Sequence, residues 1–103
     1  MPKFYFQNPS FNQGLNVSVR RGVKWNTEAQ KGVMLVDTAN PDKEIGTVDI
    51  ETRVFRFCDL IDADIAAEHD ANCRTVAGLL EVMKKIYPSF DSRELVTLVY
   101  FQK

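Results

Sequence analysis

The sequence predicts an α+β domain: a small mixed β-barrel of about five or six strands, closed or half-closed, with two helices plugging one end. Three observations lead there. The first half of the chain carries short runs of strand-like apolar and polar alternation. Two stretches, residues 60–69 and 76–87, then change to helical spacing. The final run Leu95-Val96-Thr97-Leu98-Val99-Tyr100-Phe101 returns to strand character and is apolar enough to sit centrally in a sheet. A length of 103 residues suits one domain over 1–103 with one modest core.

Each element has a local reason. Lys3–Phe6 is a short aromatic strand. Asn8-Pro9-Ser10 and Asn12-Gln13-Gly14 mark a loop. Residues 16–21 alternate as a half-buried strand, and Gly22 ends it. Val33–Asp37 is a compact apolar strand, and Ala39-Asn40-Pro41-Asp42 is a turn cluster that lets its neighbours pair as a hairpin. Residues 44–57 read as one long strand through Ile45, Val48, Ile50, Val54, Phe55 and Phe57, with Gly46 marking a bulge or a close approach. Asp59 caps a first short helix over 60–69, and Thr75 caps a second over 76–87. In the second, Val76, Leu79, Leu80, Met83, Ile86 and Tyr87 form one apolar stripe, with Glu81, Lys84 and Lys85 on the wet side. Gly78 takes the third helical position, where a capping box would place Glu or Gln. Pro88 ends the helix, and residues 94–101 form the last strand.

Composition bounds the function classes. The chain is 45% apolar and 26% charged, with 13 Lys plus Arg against 14 Asp plus Glu, a net charge of −1. A bulk basic field that would draw nucleic acid is absent, so anion binding must come from a local patch. No apolar run reaches the ~20 residues of a membrane span, and Met-Pro-Lys-Phe-Tyr-Phe lacks the pattern of a signal peptide, so no membrane partner and a cytoplasmic location are expected. Cys58 and Cys73 form neither a disulfide framework nor a zinc pattern and read as reduced, partly buried thiols. With His69 the only histidine, no metal site and no cofactor are expected.

The chemistry concentrates in Val17-Ser18-Val19-Arg20-Arg21-Gly22-Val23-Lys24-Trp25, where three cations, a hydroxyl and the only Trp fall within nine residues. Cations take phosphate, a planar ring stacks a base, and a hydroxyl supplies one directed hydrogen bond. Strand alternation puts Ser18 and Arg20 on one face and Val17, Val19 and Arg21 on the other. With the valines in the core, Ser18 and Arg20 face solvent or a surface cleft, and Arg21 lies at the barrel rim. Ser18 with Arg20 is then the better ligand pair, the plain alternative being a solvent-facing Ser and a solubilising Arg. Trp25 either stacks a base beside Lys24 or caps the core. His69 in Glu68-His69-Asp70 reads as a surface residue near a helix end.

These residues resemble the ASCH domains, small members of the PUA-like β-barrel superfamily. Gly14 followed by Val17-Ser18-Val19-Arg20-Arg21-Gly22 is similar to the family's Gly, then Lys, then a strand with a hydroxyl and one or two Arg. Ile86-Tyr87-Pro88 running into an apolar strand is similar to its C-terminal ending, and the likeness covers most of the chain. Many ASCH domains carry a helix before the motif strand, whereas residues 6–14 are too short for a full one, so this looks like a trimmed member. The resemblance implies RNA rather than DNA as partner, while the chemistry of the strand itself offers Arg20, Arg21 and Lys24, with Ser18, for a phosphate or base edge of RNA or a nucleotide and Trp25 as a stacking platform. One bacterial branch of similar length, the N4-acetylcytidine amidohydrolases, is proposed to use a Thr nucleophile, a Lys and a Glu. Aligned on the motif strand and on the second helix, the Thr position falls on Ser18, the Lys near Asn16 and the Glu on Gly78. One of three catalytic groups is then matched. Lys24, Glu81, or Glu68 with His69 are other sources of a base for Ser18, none with a spacing that forces proximity.

Three functions follow: an RNA-binding module, a small hydrolase of modified nucleosides acting through Ser18, and a protein-interaction module. A formed pocket beside Ser18 favours the enzyme, an open basic groove favours nucleic acid, and a flat apolar patch favours a protein partner.

Overall fold

The computed structural model describes residues 3–26 and 31–103. Six strands and one α-helix appear among them: β1 (Lys3–Phe6), β2 (Leu15–Arg21), β3 (Val33–Asp37), β4 (Asn40–Val48), β5 (Ile50–Arg56), α1 (Val76–Ile86) and β6 (Leu95–Gln102). The strands form two three-stranded sheets, ordered β1-β3-β4 and β2-β6-β5. In the first, β1 runs parallel to β3, and β3 pairs with β4 as an antiparallel hairpin. In the second, β6 is central and antiparallel to both neighbours.

The central place of β6 explains its unbroken apolar run. Val96 and Leu98 pack with Val17, Phe57, Leu79, Met83 and Phe90 on one side. Val99 and Phe101 pack with Phe4, Phe6, Leu35 and Ile50 on the other. Both faces are dry, so alternation has no polar phase. The result is three layers: α1, the β2-β6-β5 sheet, and the β1-β3-β4 sheet.

Several expectations are corrected. The two sheets do not close into a barrel. Closure would need a partner strand on the free edge of β2, and that edge is already occupied: Val17 N donates to Ala67 O at 2.9 Å and His69 N donates to Val17 O at 3.0 Å, a short parallel bridge of Val17 with Glu68. The long strand expected over 44–57 is broken at Asp49, where the chain passes from one sheet to the other, and β4 begins early enough to absorb the expected turn residues Asn40 and Pro41. Gly46 does sit at an irregularity, since Leu35 pairs with Gly46 and Val36 with Glu44, skipping Ile45.

The first expected helix, 60–69, is instead a chain of 3₁₀ turns at Phe57–Asp59, Asp62–Ile65 and Ala71–Cys73. Its aspartates compete for the backbone donors a helix would need. Asp64 Oδ2 accepts from Ile61 N at 2.9 Å, and Asp70 Oδ1 accepts from Asn72 N at 2.9 Å. Asp62 Oδ1 accepts from Val76 N at 2.8 Å, helping to start α1.

The α1 helix forms as its stripe requires. Thr75 Oγ1 accepts from Gly78 N at 3.1 Å as its cap. The glycine at 78 has a packing cause: a Cβ there would stand 2.5 Å from the Asn72 carbonyl oxygen. Gly78→Ala is therefore predicted to destabilise the protein by about 1–2 kcal/mol, although alanine in a helix normally gains up to ~1 kcal/mol over glycine. Urea denaturation of the two proteins decides the sign; a stabilised variant would mean that the Asn72 carbonyl moves aside without cost.

Candidate functional site

The register of β2 against β6 decides where its side chains go. Val17 and Val19 lie opposite Tyr100 and Leu98, on the helix side. Ser18 and Arg20 lie opposite Val99 and Thr97, on the side covered by β1. The split of faces expected from alternation holds, but the second face is not solvent. Ser18 is 3% exposed, because the aromatic strand β1 packs over it. Arg20 is half-buried, its guanidinium carbon 4.0 Å from the centre of the Phe4 ring and 4.9 Å from that of Phe6. Its Nε donates to Ser18 Oγ at 3.1 Å.

Opposite them stands Glu68, 3% exposed. The parallel bridge that begins at Val17 does not continue. Where the next backbone carbonyl would accept from Val19 N, the carboxylate Oε2 of Glu68 accepts at 3.2 Å. Oε1 accepts from Asp70 N at 3.3 Å and lies 3.2 Å from His69 Nε2. On the other side of the ring, His69 Nδ1 is 3.0 Å from the Ser10 carbonyl. A carbonyl only accepts, so Nδ1 carries a proton and Nε2 meets Glu68. The two residues therefore share one proton, as carboxylic acid with neutral imidazole or as carboxylate with imidazolium.

Burial selects the neutral arrangement. It raises the Glu68 carboxyl to about 8, against backbone donation from Asp70 and Val19 and the nearby charge of Arg20. Burial likewise lowers His69 below its usual value, the Ser10 contact opposing it. His69, expected at the surface, is packed edge-on to Phe6 at 5.0 Å and beside Phe11 at 5.6 Å. Burial also lowers Arg20, to about 10, which leaves it a cation at neutral pH.

Ser18, Arg20, Glu68 and His69 form the floor of a cleft of about 440 Å³, within the usual range for small-ligand sites of roughly 300–1,000 Å³. Tyr5 and Phe6 of β1, Leu79, Met83 and Ile86 of α1, and Tyr87 just past its end make apolar walls, and Lys85 adds a cation. Cys73 also lines it, but burial pushes its thiol up to about 12, so it is not a thiolate nucleophile at neutral pH. The other thiol, Cys58, is exposed rather than partly buried. A larger hollow of about 520 Å³ beside Leu15, Asp49, Glu51 and Tyr100 lacks any such cluster of buried polar groups.

The remaining motif residues lie elsewhere. Arg21 makes a two-pronged pair with Glu94, Nε to Oε1 at 2.7 Å and Nη2 to Oε2 at 3.0 Å. Lys24 is exposed on the turn after Gly22. Trp25 is half-buried and edge-on to Phe4 at 4.6 Å, the core-capping alternative. Neither Arg21, Lys24 nor Trp25 lines the cleft. Asn16, where the resemblance put a lysine, is fully buried and donates to Asn12 O at 2.9 Å and Gly14 O at 3.0 Å. Gly78 has no room for a side chain, and the carboxyl that shares the cleft with Ser18 is that of Glu68. The signal for it was the polar run Glu68-His69-Asp70 directly after an apolar segment. Among the described residues no group of three or more His, Cys, Asp or Glu side chains is placed to hold a metal ion, and no helix is long and apolar enough to cross a membrane.

A solved structure of an ASCH domain from Lactobacillus crispatus JV V101 matches with a TM-score of 0.60 at 19% identity, over 84% of this chain. The chain spans 62% of the length of that domain. At this identity the match shows an ASCH-like fold. No protein-family model and no curated protein matches the sequence.

The shared proton makes a pH prediction. The folded protein holds a proton on Glu68 up to about 8, whereas the unfolded chain releases it near 4.5. The resulting stability is full below 4.5 and is lost as pH rises through about 8. His69 acts oppositely, costing stability only as pH falls below its unfolded value of 6.5. Between pH 6.5 and 8 the Glu68 contribution alone should therefore lower stability, by about 1–2 kcal/mol. Glu68→Gln keeps an acceptor for Val19 N and a donor for His69, and should flatten this slope in urea melts taken across the window. An equal slope in both proteins would place the titration elsewhere.

Proposed function

We propose that this chain binds a nucleobase-bearing ligand, a nucleotide or a nucleotide unit of RNA, in the cleft above Ser18 and Arg20. The observation that carries the reading is the meeting of four buried or half-buried polar groups, Ser18, Arg20, Glu68 and His69, at the floor of an apolar-walled cleft. Apolar walls with a few convergent polar groups suit a planar heterocycle. The cations of the motif strand do not line up as one open basic track, since Arg21 is paired with Glu94. The preference for RNA over DNA comes from the ASCH-like fold and from the resemblance of the motif strand. In this reading Tyr5 and Tyr87 flank the base, Ser18 and Arg20 meet its edge, and Lys85 meets a phosphate. Arg21, Lys24 and Trp25 contribute field and support at the rim.

Titration calorimetry with ribonucleoside monophosphates and short single-stranded RNA tests it. Ser18→Ala is expected to weaken binding about five- to thirtyfold, because it removes a hydroxyl and strands the Arg20 Nε–H. With only Arg20 and Lys85 as cations in the cleft, the slope of log affinity against log salt should be shallow, about −0.7 to −1.4. A steeper slope would return the site to a surface track through Arg21 and Lys24, and no binding by any of these ligands would sink the reading.

One observation favours a second reading, hydrolysis of an acylated nucleoside. Ser18 shares its cleft with a buried carboxyl. The Glu68 carboxylate would take the Ser18 proton as Oγ attacks the acyl carbon, and Arg20, already donating to Ser18 Oγ, would stabilise the developing oxyanion. Glu68 would return the proton to the departing nucleoside nitrogen, and water would then release the acyl group from Ser18. Only ionised Glu68 is a base, so turnover should rise through pH 8 and vanish in Ser18→Ala while ligand binding remains measurable. Turnover retained in that variant would exclude Ser18 as the nucleophile.

A further inference from the structure

The hydrogen-bonding capacity of the cleft floor is one-sided. Both oxygens of Glu68 are already engaged, by Val19 N, Asp70 N and His69 Nε2. His69 spends its other nitrogen on the Ser10 carbonyl. What Arg20 and Ser18 add to the floor is unspent donors. Arg20 uses Nε on Ser18 Oγ, and among the described residues neither Nη1 nor Nη2 has a protein acceptor. Ser18, accepting from Arg20, still has its own hydroxyl proton to give.

The plane of those donors is held. The guanidinium carbon lies 4.0 Å from the centre of the Phe4 ring and 4.9 Å from that of Phe6, two rings set edge-on to each other, and Nε is tied to Ser18. A guanidinium held in this way offers two parallel N–H groups as a rigid fork. Such a fork in a partly dry site requires two acceptors side by side in one plane; a donor in either place leaves an N–H facing an N–H.

Resting on the nucleobase reading above, we infer that the cleft selects bases that present two adjacent acceptors, and that the end-on fork of Arg20 is the specificity-determining group. Guanine offers such a pair at O6 and N7, and cytosine at O2 and N3. Adenine sets N1 and N7 each beside its amino donor and leaves N3 with no second acceptor next to it, and uracil separates its carbonyls by an imino N–H. Both fail against a fork of donors. Lysine at this position keeps the charge and loses the fork.

Calorimetry on the full chain with the monophosphates of guanosine, cytidine, adenosine and uridine tests the inference. Guanosine or cytidine, or both, should bind roughly five- to 150-fold more tightly than adenosine and uridine. Which of the two binds identifies the source of the acceptor pair. Arg20→Lys should bring the four affinities together while all four still bind. Equal affinities in the unaltered protein, or a preference for adenosine or uridine, would overturn the inference and leave the nucleobase reading standing. Binding by none of the four would instead remove the nucleobase reading itself. Should Arg20→Lys not fold, the guanidinium N–H resonances of Arg20 in the unaltered protein serve in its place. They should shift on adding the preferred nucleotide and stay still with adenosine, and an unmoved signal with the preferred ligand would overturn the fork.

Discussion

The docking of residues 67–69 against the edge of β2 is the constraint on which the rest of the site depends. Two backbone hydrogen bonds at Val17 begin a parallel ladder, and the Glu68 side chain ends it by taking the next donor, Val19 N. An open strand edge needs cover, and this short segment supplies it without a seventh strand. The same act keeps the two sheets from closing and leaves a cleft where the missing strand would run. It also carries a carboxyl and an imidazole to the one place where Ser18 and Arg20 emerge. Arg74 reinforces the arrangement, donating through Nε to Glu68 O at 3.0 Å and through Nη2 to Asn12 Oδ1 at 2.7 Å.

The energetics of the cleft follow from burying charge beside aromatic rings. A guanidinium is more weakly hydrated than an ammonium, so its cation–π contacts with Phe4 and Phe6 offset part of its desolvation. For the Glu68 carboxyl, donation from Asp70 N and Val19 N and the charge of Arg20 offset only part of the cost, and it holds its proton, with His69 as its partner. The floor therefore carries a cation whose nearest carboxyl is neutral, which leaves it rich in donors. The acid-base behaviour of the site grows from that imbalance, and the proposed ligand selection rests on it.

Much of the architecture was legible in the sequence. The period-two runs gave most strands, the apolar stripe with its Thr75 cap gave α1, and the continuous apolar run of β6 marked it as central. These features are local, written in the spacing of neighbouring residues. The aspartate-rich stretch misled because its apolar spacing imitates a helix. Its side chains bond to nearby backbone donors instead, and the edge of β2 draws its end into an extended bridge. Closure into a barrel was likewise undecidable from spacing, since it turns on which segment reaches a strand edge first.

For the site, the sequence by itself determined that Ser18 and Arg20 share a face and that Arg21 faces away, because strand geometry alternates whatever the partner. It also determined that no bulk basic charge exists to bind nucleic acid. Only the tertiary structure decided that the face of Ser18 and Arg20 is covered by β1, that Trp25 packs on Phe4, and that the carboxyl lining the cleft with Ser18 is Glu68 rather than a residue of α1. Those facts depend on contacts between segments as far apart as 50 residues, which arise from packing and leave no period in the chain.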